Sequence, residues 1–283
     1  MASFTNFATL SYNGGTTNSN IVTGEILEAL TAVKTAVSAN YSAGDRITYA
    51  LSLVNTGTAA ITDYTVTDDL GGYTVGANTV YPLAYNAGTV RYYINGVLQN
   101  APTVTAGPPL TVTGLTVPAG GSAVLIYETT ATPVAPLATG NSITNTATIT
   151  GAGLTNPITA QATVETANSA DLTISKALSP TTVTENGQIT YTFVISNTGN
   201  TEATATGNVV VTDTFAPILR NIAVTYNGTA WTEGTNYTYN AATGVFTTLA
   251  GQITVPAATF TQNTDGTFTV TPGTATLVIT GTV

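Results

Sequence analysis

The chain of 283 residues contains no cysteine and no histidine. Disulfide bonds, zinc sites that need thiolate or imidazole ligands, and catalytic triads built on Cys or His are therefore excluded. Charged residues are also scarce, at 7% of the chain, with five Lys and Arg against 14 Asp and Glu. The resulting net charge of −9 excludes nucleic acid as a partner, because so few cations cannot neutralise a phosphate backbone.

Carboxylate pairs are the catalytic groups that this composition leaves available. Such pairs usually lie in sugar-binding clefts built from aromatic and cationic side chains, and the chain has one Trp and five cations. We therefore expect a protein that is not an enzyme and that binds no cofactor and no metal ion. A calcium site near Asp68 and Asp69 or around Asp45 is a weaker alternative, because no loop of regularly spaced acidic residues supports it.

Long hydrophobic runs are missing too. No stretch reaches the roughly 18 apolar residues of a membrane span, and the opening MASFTNFATL has neither the basic start nor the apolar stretch of a signal peptide. We expect no membrane insertion, and either a signal that has been removed or synthesis in a cytoplasm followed by another route to a surface. The hydrophobic fraction of 43% argues against disorder.

Strand patterns fill the sequence instead. Thr and Val alternate in TYALSLVNTG, GNVVVTDTF and TATLVITGTV with the period of two that half-buried strands have, and Gly, Pro and Asn separate these runs. The pattern predicts an all-β protein. Local propensity would allow a helix over VTGEILEALTAVKTAV, but an internal repeat argues against it.

The repeat has the size of a domain. AVKTAVSANYSAGDRITYALSLVNTGT, which contains Lys34, aligns without gaps with ISKALSPTTVTENGQITYTFVISNTGN, which contains Lys176. Each Lys stands 15 residues before a Tyr and 21 residues before an Asn, and a VTD tripeptide follows at 66–68 and at 211–213. Because DLTISKALSP is strongly strand-like, the matching EALTAVKTAV is predicted to be a strand as well.

The two copies end differently. The first continues through ITNTATITGAGLTNPITAQATVE at 143–165, whereas the second reaches Val283 without a counterpart. A matching segment, FTNFATLSYNGGTTNSNIVTGEI, stands at 4–26, ahead of the first copy. We therefore predict two tandem β-sandwiches in a permuted array. Its parts are an N-terminal extension with a donor strand at 1–24, a complete domain 1 at 25–167 and an incomplete acceptor domain 2 at 168–283.

A sandwich that lacks its closing strand exposes unpaired backbone groups and an open core, which favours strand addition from another chain. If the N-terminus of the next copy fills domain 2, the contact is head-to-tail and generates a filament. The alternative is that residues 1–24 are a frayed leader, which would leave the repeated strand-and-turn pattern unexplained. The predicted contact face of the donor strand comprises Phe4, Asn6, Ala8, Leu10 and Tyr12.

Each predicted sandwich points three polar side chains inward, according to the alternation along its strands. In domain 1 they are Lys34, Asp68 and Asn145. A buried amine and carboxyl are costly unless they are paired, so one interpretation is an ion pair hydrogen-bonded to an amide. The other is an isopeptide bond, formed when the Lys amine attacks the Asn side chain and ammonia leaves. Burial would lower the pKa of the amine and raise the pKa of the Asp, giving a nucleophile and a proton donor.

In domain 2 the corresponding residues are Lys176 and Asp213, and the amide is Asn6 of the next subunit. A bond between Lys176 and that Asn6 would make the filament covalent. Glu128 is a second candidate for the acid in domain 1. Asp68 is preferred, because the second copy has Thr280 at the position of Glu128.

The runs DLTISKALSPTTVTENGQITYTFVISNTGN, VTDTF and ITNTATIT resemble the DUF11 repeats of bacterial and archaeal surface proteins. The resemblance spans nearly the whole chain and implies immunoglobulin-like sandwiches on an extracellular surface, often in tandem. The Lys, Asp and Asn positions are also similar in logic to those of the isopeptide-forming domains of Gram-positive pilins and adhesins. This sequence departs from those proteins in having no sortase motif and no membrane anchor.

These observations together predict a structural subunit of an extracellular fibre, on a cell or on a spore, whose partners are identical subunits. The alternative function is a surface adhesin that recognises glycan or protein through loops at the ends of the sandwiches. The Tyr-containing segments RYYING and NYTYN would supply contacts in that case. Strand residues beside turns are the simpler interpretation of both segments.

Overall fold

The computed structural model describes residues 2–26, 29–151 and 154–283. Across these ranges the regular structure is β-strand, apart from a single 3₁₀ turn at Ala205–Gly207. The prediction of an all-β protein is therefore confirmed. The same described ranges contain no helix of the length and apolar character that crossing a membrane requires.

Residues 2–26 form a β-hairpin that we call the N-terminal hairpin. β1 pairs with β4 and β2 pairs with β3, both antiparallel, and Ala8 and Ser19 hydrogen-bond to each other between the two ladders. The predicted donor strand is thus one arm of a two-stranded element, and Ala8 lies between its two strands. Residues 4–23 are all exposed. The strands are β1 (Ala2–Asn6), β2 (Thr9–Tyr12), β3 (Gly15–Asn18) and β4 (Val22–Ile26).

The chain divides into two compact units. Unit 1 takes the described residues of 1–135 and 142–165, including the N-terminal hairpin. Its further strands are β5 (Leu30–Ala36), β6 (Asn40–Tyr41), β7 (Arg46–Asn55), β8 (Ile61–Asp68), β9 (Tyr73–Val75), β10 (Asn78–Val80), β11 (Leu83–Tyr85), β12 (Arg91–Ile94), β13 (Val97–Leu98), β14 (Thr103–Thr105), β15 (Leu110–Val117), β16 (Ser122–Ala131), β17 (Ser142–Thr150) and β18 (Ile158–Thr166).

Two six-stranded sheets form the sandwich of unit 1, and β9 pairs with β10 as a separate two-stranded sheet. The first has the order β13-β12-β16-β7-β5, with β11 also paired to β16, and the second has the order β14-β15-β8-β17-β18-β6. The sheets face each other: the Tyr92 hydroxyl on β12 accepts a hydrogen bond of 2.8 Å from the backbone of Thr116 on β15. Alternate residues of the central strands, such as Tyr49 and Leu51 on β7 and Tyr127 on β16, are fully buried between the sheets. The strand predicted around Lys34 is confirmed over Leu30–Ala36, while Glu28 lies outside the described residues.

Unit 2 takes residues 136–141 and 166–283. One sheet has the order β19-β20-β28-β22-β23, a second has the order β21-β25-β24, and β26 pairs with β27 as a separate hairpin. The core lies between the sheets and includes Phe215, Phe246, Leu277 and Ile279. The strands are β19 (Leu172–Ser179), β20 (Gln188–Asn197), β21 (Thr212–Thr214), β22 (Arg220–Tyr226), β23 (Thr229–Trp231), β24 (Tyr237–Asn240), β25 (Val245–Thr248), β26 (Thr259–Gln262), β27 (Phe268–Thr271) and β28 (Gly273–Thr282).

The unit bounds differ from the predicted domains at residues 136–141 and 166–167, which cluster with unit 2, and at the N-terminal hairpin, which clusters with unit 1. Asn200 accounts for the placement in unit 2, because its side-chain amide donates to the carbonyls of Leu137 and Ala167, each at 2.9 Å. Its backbone carbonyl also accepts a hydrogen bond of 2.7 Å from the Thr139 hydroxyl. Hydrogen bonding across 61–63 residues of sequence is not visible in a linear pattern.

The two copies of the repeat share a loop-fastening network. Asn55 and Asn197 are both buried at the end of a ten-residue strand. Each side-chain amide donates to the carbonyl four residues ahead and to the carbonyl of a Pro, and each side-chain oxygen accepts the backbone N–H two residues ahead. These matching networks support the predicted repeat.

The second sheets differ in one respect that matters for function. In unit 1 β8 lies between β15 and β17, with Asp68 opposite Ala147. In unit 2 the matching strand β21 pairs with β25, and none of the described strands pairs with its other edge. Unit 2 thus presents a free strand edge where unit 1 has the β17–β18 hairpin.

Candidate functional site

The site in unit 1 is built from one strand of the first sheet and two neighbouring strands of the second, which faces it. Lys34 lies on β5 in the first sheet, and Asp68 and Asn145 lie on β8 and β17 in the second. Side chains alternate between the two faces of a strand, so each of the three points into the core. They are 4%, 1% and 0% exposed, respectively. The structure therefore brings together all three residues predicted for domain 1.

Asp68 is the centre of this cluster. Its Oδ2 accepts hydrogen bonds from the Lys34 amine at 2.5 Å and from the Tyr127 hydroxyl, and its Oδ1 accepts the backbone N–H of Leu70 at 3.1 Å. Two of these donors come from the opposite sheet. Donors on both carboxylate oxygens hold the side chain in one orientation.

Burial changes the acid–base behaviour of Lys34. Loss of hydration lowers the pKa of its amine below the usual 10.5, and this outweighs the opposite effect of Asp68, which raises it. The amine also lies over the Tyr49 ring, 4.9 Å from its centroid. A lowered pKa increases the fraction of neutral amine, which is the nucleophilic form.

Asn145 is the unusual member of the cluster. It stands two residues before Ala147, which pairs with Asp68, so its amide lies on the same inward face beside that carboxylate. Neither its Nδ2 nor its Oδ1 has a hydrogen-bond partner. A buried amide without partners costs about 1–3 kcal/mol, and such a group in a folded core requires an explanation.

The cluster contains the groups that one reaction requires: an amine of lowered pKa, an amide and a carboxyl group. In that reaction the bond between Lys34 Nζ and Asn145 Cγ would form, the bond between Cγ and Nδ2 would break, and ammonia would leave. The product would be an isopeptide bond between β5 of one sheet and β17 of the other.

Unit 2 repeats half of this arrangement. Lys176 on β19 contacts Asp213 on β21 at 2.5 Å, as predicted from the repeat. The side chains are 41% and 18% exposed, whereas those of Lys34 and Asp68 are at most 1% exposed. Asn6, the amide predicted to complete this cluster, lies in the exposed N-terminal hairpin.

β19 also borders an open groove, which we call the acceptor groove. It is about 150 Å³ in volume, and its lining includes Ile174, Ile195 and residues 209–211, which lead into β21. Ile174 and Val210 in this lining are 55% and 46% exposed, and Leu178, further along β19, is 37% exposed. In unit 1 the equivalent position beside β8 is covered by β17. The apolar face of β19 therefore lacks the covering strand that β5 has.

The N-terminal hairpin carries the complementary feature. Its exposed apolar side chains include Phe4, Leu10 and Val22, at 55%, 62% and 55%. The Phe4 ring lies against Gly24 across the hairpin, so closely that a Cβ on Gly24 would be 2.4 Å from it. A two-stranded hairpin with an uncovered apolar face is marginally stable by itself.

Glu128, the second candidate for the acid, is placed outside the buried cluster. Its side chain is 36% exposed and lies 3.4 Å from Arg46. The residue beside it, Tyr127, points inward instead. The structure thus favours Asp68, in agreement with the preference drawn from Thr280 in the second copy.

The carboxylates considered for calcium bind backbone groups. Asp69 Oδ1 accepts the backbone N–H groups of Gly71 and Thr146, both at 2.8 Å, and Asp45 accepts that of Ser42 at 2.8 Å. In the part of the chain that the structure describes, no three His, Cys, Asp or Glu side chains converge on a metal-sized site.

The two Tyr-containing segments lie in strands beside turns. Tyr92 in RYYING and Tyr237 in NYTYN are buried, and Tyr93 and Tyr239 are half-buried. The Tyr239 hydroxyl donates to the Leu219 carbonyl at 2.8 Å. The simpler interpretation, turn-flanking strand residues, is confirmed.

Two tyrosines of the unit 1 site were missed by the sequence analysis. Tyr127 donates to Asp68, and the hydroxyls of Tyr127 and Tyr49 lie near enough to the Asn145 amide for it to lower their pKa. Burial, the largest effect, raises the pKa of both far above 10, so both stay protonated. One signal was available: Tyr49 and Tyr191 occupy the same position in the two copies.

Comparisons with known proteins found only weak structural similarity. No protein-family model and no curated protein matches the sequence, so the resemblance to DUF11 repeats stays a prediction. Solved structures match in part. They include the Bacillus cereus major pilin subunit BcpA (15% identity, 96% of this chain and 73% of that one, TM-score 0.36), the Streptococcus pneumoniae pilus backbone RrgB (13%, 86% and 55%, 0.36) and the N-terminal domain of the Streptococcus gordonii adhesin Sgo0707 (15%, 48% and 32%, 0.36).

All three TM-scores lie below 0.5, so these likenesses say nothing about the function of this chain. The chain also spans only about a third of the adhesin domain.

The difference in burial between the two lysines is expected to show in their reactivity. In a chain that lacks residues 2–12 and carries Asn145→Ala, neither Lys amine can form a bond and the acceptor groove stays empty, so an amine-reactive ester should modify Lys176 at least about 100-fold faster than Lys34. Reaching Lys34 requires the sandwich to open, which costs several kcal/mol. Peptide mapping by mass spectrometry measures both rates, and equal rates would contradict the burial of Lys34.

Proposed function

We propose that this protein is a structural subunit of an extracellular fibre, in which the N-terminal hairpin of one copy fills the acceptor groove of the next. The observation that carries the proposal is the free edge of β21 in unit 2, at the position where unit 1 has its β17–β18 hairpin. The sequence of residues 4–26 matches that of β17–β18. The chain thus contains both the open groove and an element with the pattern that fills the equivalent groove of unit 1.

The register of docking follows from unit 1. Ala147 and Ile149 on β17 pair with Asp68 and Val66 on β8. Applied to the matching residues, this register places Ala8 opposite Asp213 and Leu10 opposite Val211. Asn6 then takes the position of Asn145, beside the pair formed by Lys176 and Asp213.

Burial of exposed apolar side chains would offset the cost of docking. Burial of Phe4, Leu10 and Val22 from the hairpin, together with exposed groove residues such as Ile174, contributes about 1.5–3 kcal/mol per fully buried side chain. New backbone hydrogen bonds to the edge of β21 add to this. The sum is comparable to the association cost of about 4–15 kcal/mol.

Docking of this kind polymerises the chain. The hairpin and the groove are different surfaces of one chain, so each copy can donate to one neighbour and accept from another. An isopeptide bond from Lys176 to Asn6 of the next copy would make the filament covalent, while the Lys34–Asn145 bond would lock unit 1 within each copy. A protein that uses such bonds needs no disulfides for a stable fibre, and the sequence has no Cys.

The same features support a location outside the cell, on a cell or spore surface. A self-assembling, acidic β-protein with a charged fraction of only 7% is suited to a structural role. The adhesin alternative receives less support, because the aromatic residues considered for ligand contacts lie in strands and are at least half buried.

Deletion of residues 2–12 tests the proposal. The variant is expected to stay monomeric, because the acceptor groove then has no donor arm to bind, whereas the full chain forms filaments visible by negative-stain electron microscopy. The matched control is Asn6→Ala, which removes the amide and keeps the hairpin; it should still form filaments, but ones that dissociate in denaturant. Filaments of normal length from the deleted chain would refute hairpin donation.

A further inference from the structure

The hydroxyl of Tyr127 in the unit 1 site has no counterpart in unit 2. β7 and β16 place Tyr49 opposite Tyr127, and the matching strands β20 and β28 place Tyr191 opposite Ile279. One tyrosine of the pair is thus common to both units, and the other is replaced by an aliphatic residue. Ile279 is fully buried and brings no hydrogen-bond donor.

Tyr127 lies between the two groups that change during bond formation. It donates to Asp68 Oδ2, the same oxygen that the Lys34 amine contacts. Asn145 lies on the same inward face as Asp68, two residues before Ala147, the residue opposite Asp68, and neither polar atom of its amide has a hydrogen-bond partner. A donor with two acceptors within reach can change partners when the charges on them change.

We propose that Tyr127 is a catalytic hydrogen-bond donor, which stabilises the negative charge that develops on Asn145 Oδ1 when Lys34 attacks. This inference rests on the proposed isopeptide bond of unit 1. At the joint between copies, Ile279 stands in place of Tyr127. The reaction of Lys176 with Asn6 of the next copy would therefore have one hydrogen-bond donor fewer.

In the proposed reaction, protons move between Lys34, Asp68 and Asn145. Lys34 passes a proton to Asp68, which makes the amine neutral and turns the carboxylate into a weaker hydrogen-bond acceptor. The Lys nitrogen then attacks Asn145 Cγ, and Oδ1 becomes an oxyanion to which the Tyr127 O–H turns. Asp68 gives its proton to Nδ2 and takes one from the Lys nitrogen. The C=O bond re-forms, the bond to Nδ2 breaks, and ammonia leaves.

The conservative variant Tyr127→Phe tests this role, because it removes the hydroxyl and keeps the ring. It is made in a chain that also carries Asn6→Ala and Lys176→Ala, so that the bond of unit 1 is the sole source of ammonia loss. Samples are taken at intervals after synthesis in a cell-free translation and analysed by intact mass. Loss of one oxyanion donor typically slows a reaction by 10²–10³-fold, and we expect loss of ammonia to be about 10²-fold slower.

Two controls separate catalysis from stability. Tyr64→Phe removes the hydroxyl of another fully buried tyrosine of unit 1, one that faces Tyr92 instead of the site, and should leave the rate unchanged. Thermal unfolding of Lys34→Ala chains, with and without Tyr127→Phe, measures the stability contribution of the hydroxyl where no bond can form. If the role of Tyr127 is purely structural, Tyr127→Phe should lower that unfolding temperature and leave the rate of ammonia loss unaltered.

The outcomes for the two proposals are distinct. Ammonia loss at the parent rate in the Tyr127→Phe chain would overturn the catalytic role and leave the isopeptide bond standing. A parent chain that retains its full mass indefinitely would overturn the bond and this role together. Filaments of the full chain in the electron microscope would still support hairpin donation in that case.

Discussion

A mixture of two variants, Asn6→Ala and Lys176→Ala, is expected to produce a covalent dimer. No covalent oligomer larger than this dimer should form. The first variant has an intact acceptor groove but a hairpin without the reacting amide. The second has an intact hairpin but a groove without the amine. One bond can form between the two variants, after which neither end of the dimer can react further, whereas the unmodified chain should give a ladder of oligomers.

Denaturing electrophoresis and intact mass measure this result. The dimer should be lighter than its two unmodified chains by one ammonia for the joint and one for each unit 1, and neither variant should dimerise covalently when incubated alone. Adding Asn145→Ala to either chain is the matched control. The dimer should then lose one ammonia fewer relative to its two unmodified chains, and its yield should not change. Covalent trimers would show that other residues take part in the joint.

Replacement of Lys34 by Ala should have the largest effect on the stability of unit 1. Asp68 would remain buried, with the Tyr127 hydroxyl and the Leu70 N–H as donors but no cation. Breaking a buried pair by removing one partner costs about 3–5 kcal/mol, and the proposed cross-link between the two sheets could no longer form. We therefore expect a large fall in the unfolding temperature of unit 1 and no ammonia loss from it.

The double variant Lys34→Met with Asp68→Leu separates the two contributions. Replacing both charges with apolar residues of similar size removes the buried charge, so much of the lost free energy of unfolding should return while the cross-link stays absent. Chains with Lys34→Ala that unfold at the original temperature in calorimetry would mean that neither the ion pair nor a bond stabilises unit 1. Lys176→Ala should have a much smaller effect in the monomer, because that side chain is 41% exposed.

The residues of the unit 1 site were predictable because they follow from strand alternation. A strand places every second side chain on one face, so the apolar neighbours of Lys34, Asp68 and Asn145 were enough to predict that all three point inward. The internal repeat extended this prediction to Lys176 and Asp213. The gapless spacing of the two copies also determined that Leu30–Ala36 is a strand, although its local composition allows a helix.

Tertiary structure decided which side chains join the cluster from the opposite sheet. Tyr127 precedes Glu128 on β16, and the two residues point to opposite faces. The pairing of β16 with β7 and the facing of the two sheets place the Tyr127 hydroxyl, and not the Glu128 carboxylate, at Asp68. Contacts of this kind join residues 59 positions apart, and a pattern along one strand carries no information about the strand that faces it.

By itself, the sequence determined the all-β class, the two copies of the repeat, the match of residues 4–26 to β17–β18, and the paired lysines and aspartates, because these follow from periodicity and spacing along the chain. Tertiary structure decided that the donor is a hairpin with two arms, that β21 has a free edge, that Lys176 is half-exposed while Lys34 is buried, and that the Asn145 amide is buried without partners. Exposure and hydrogen bonding depend on which strands meet in space, and strand pairing is set by the packing of the whole sandwich.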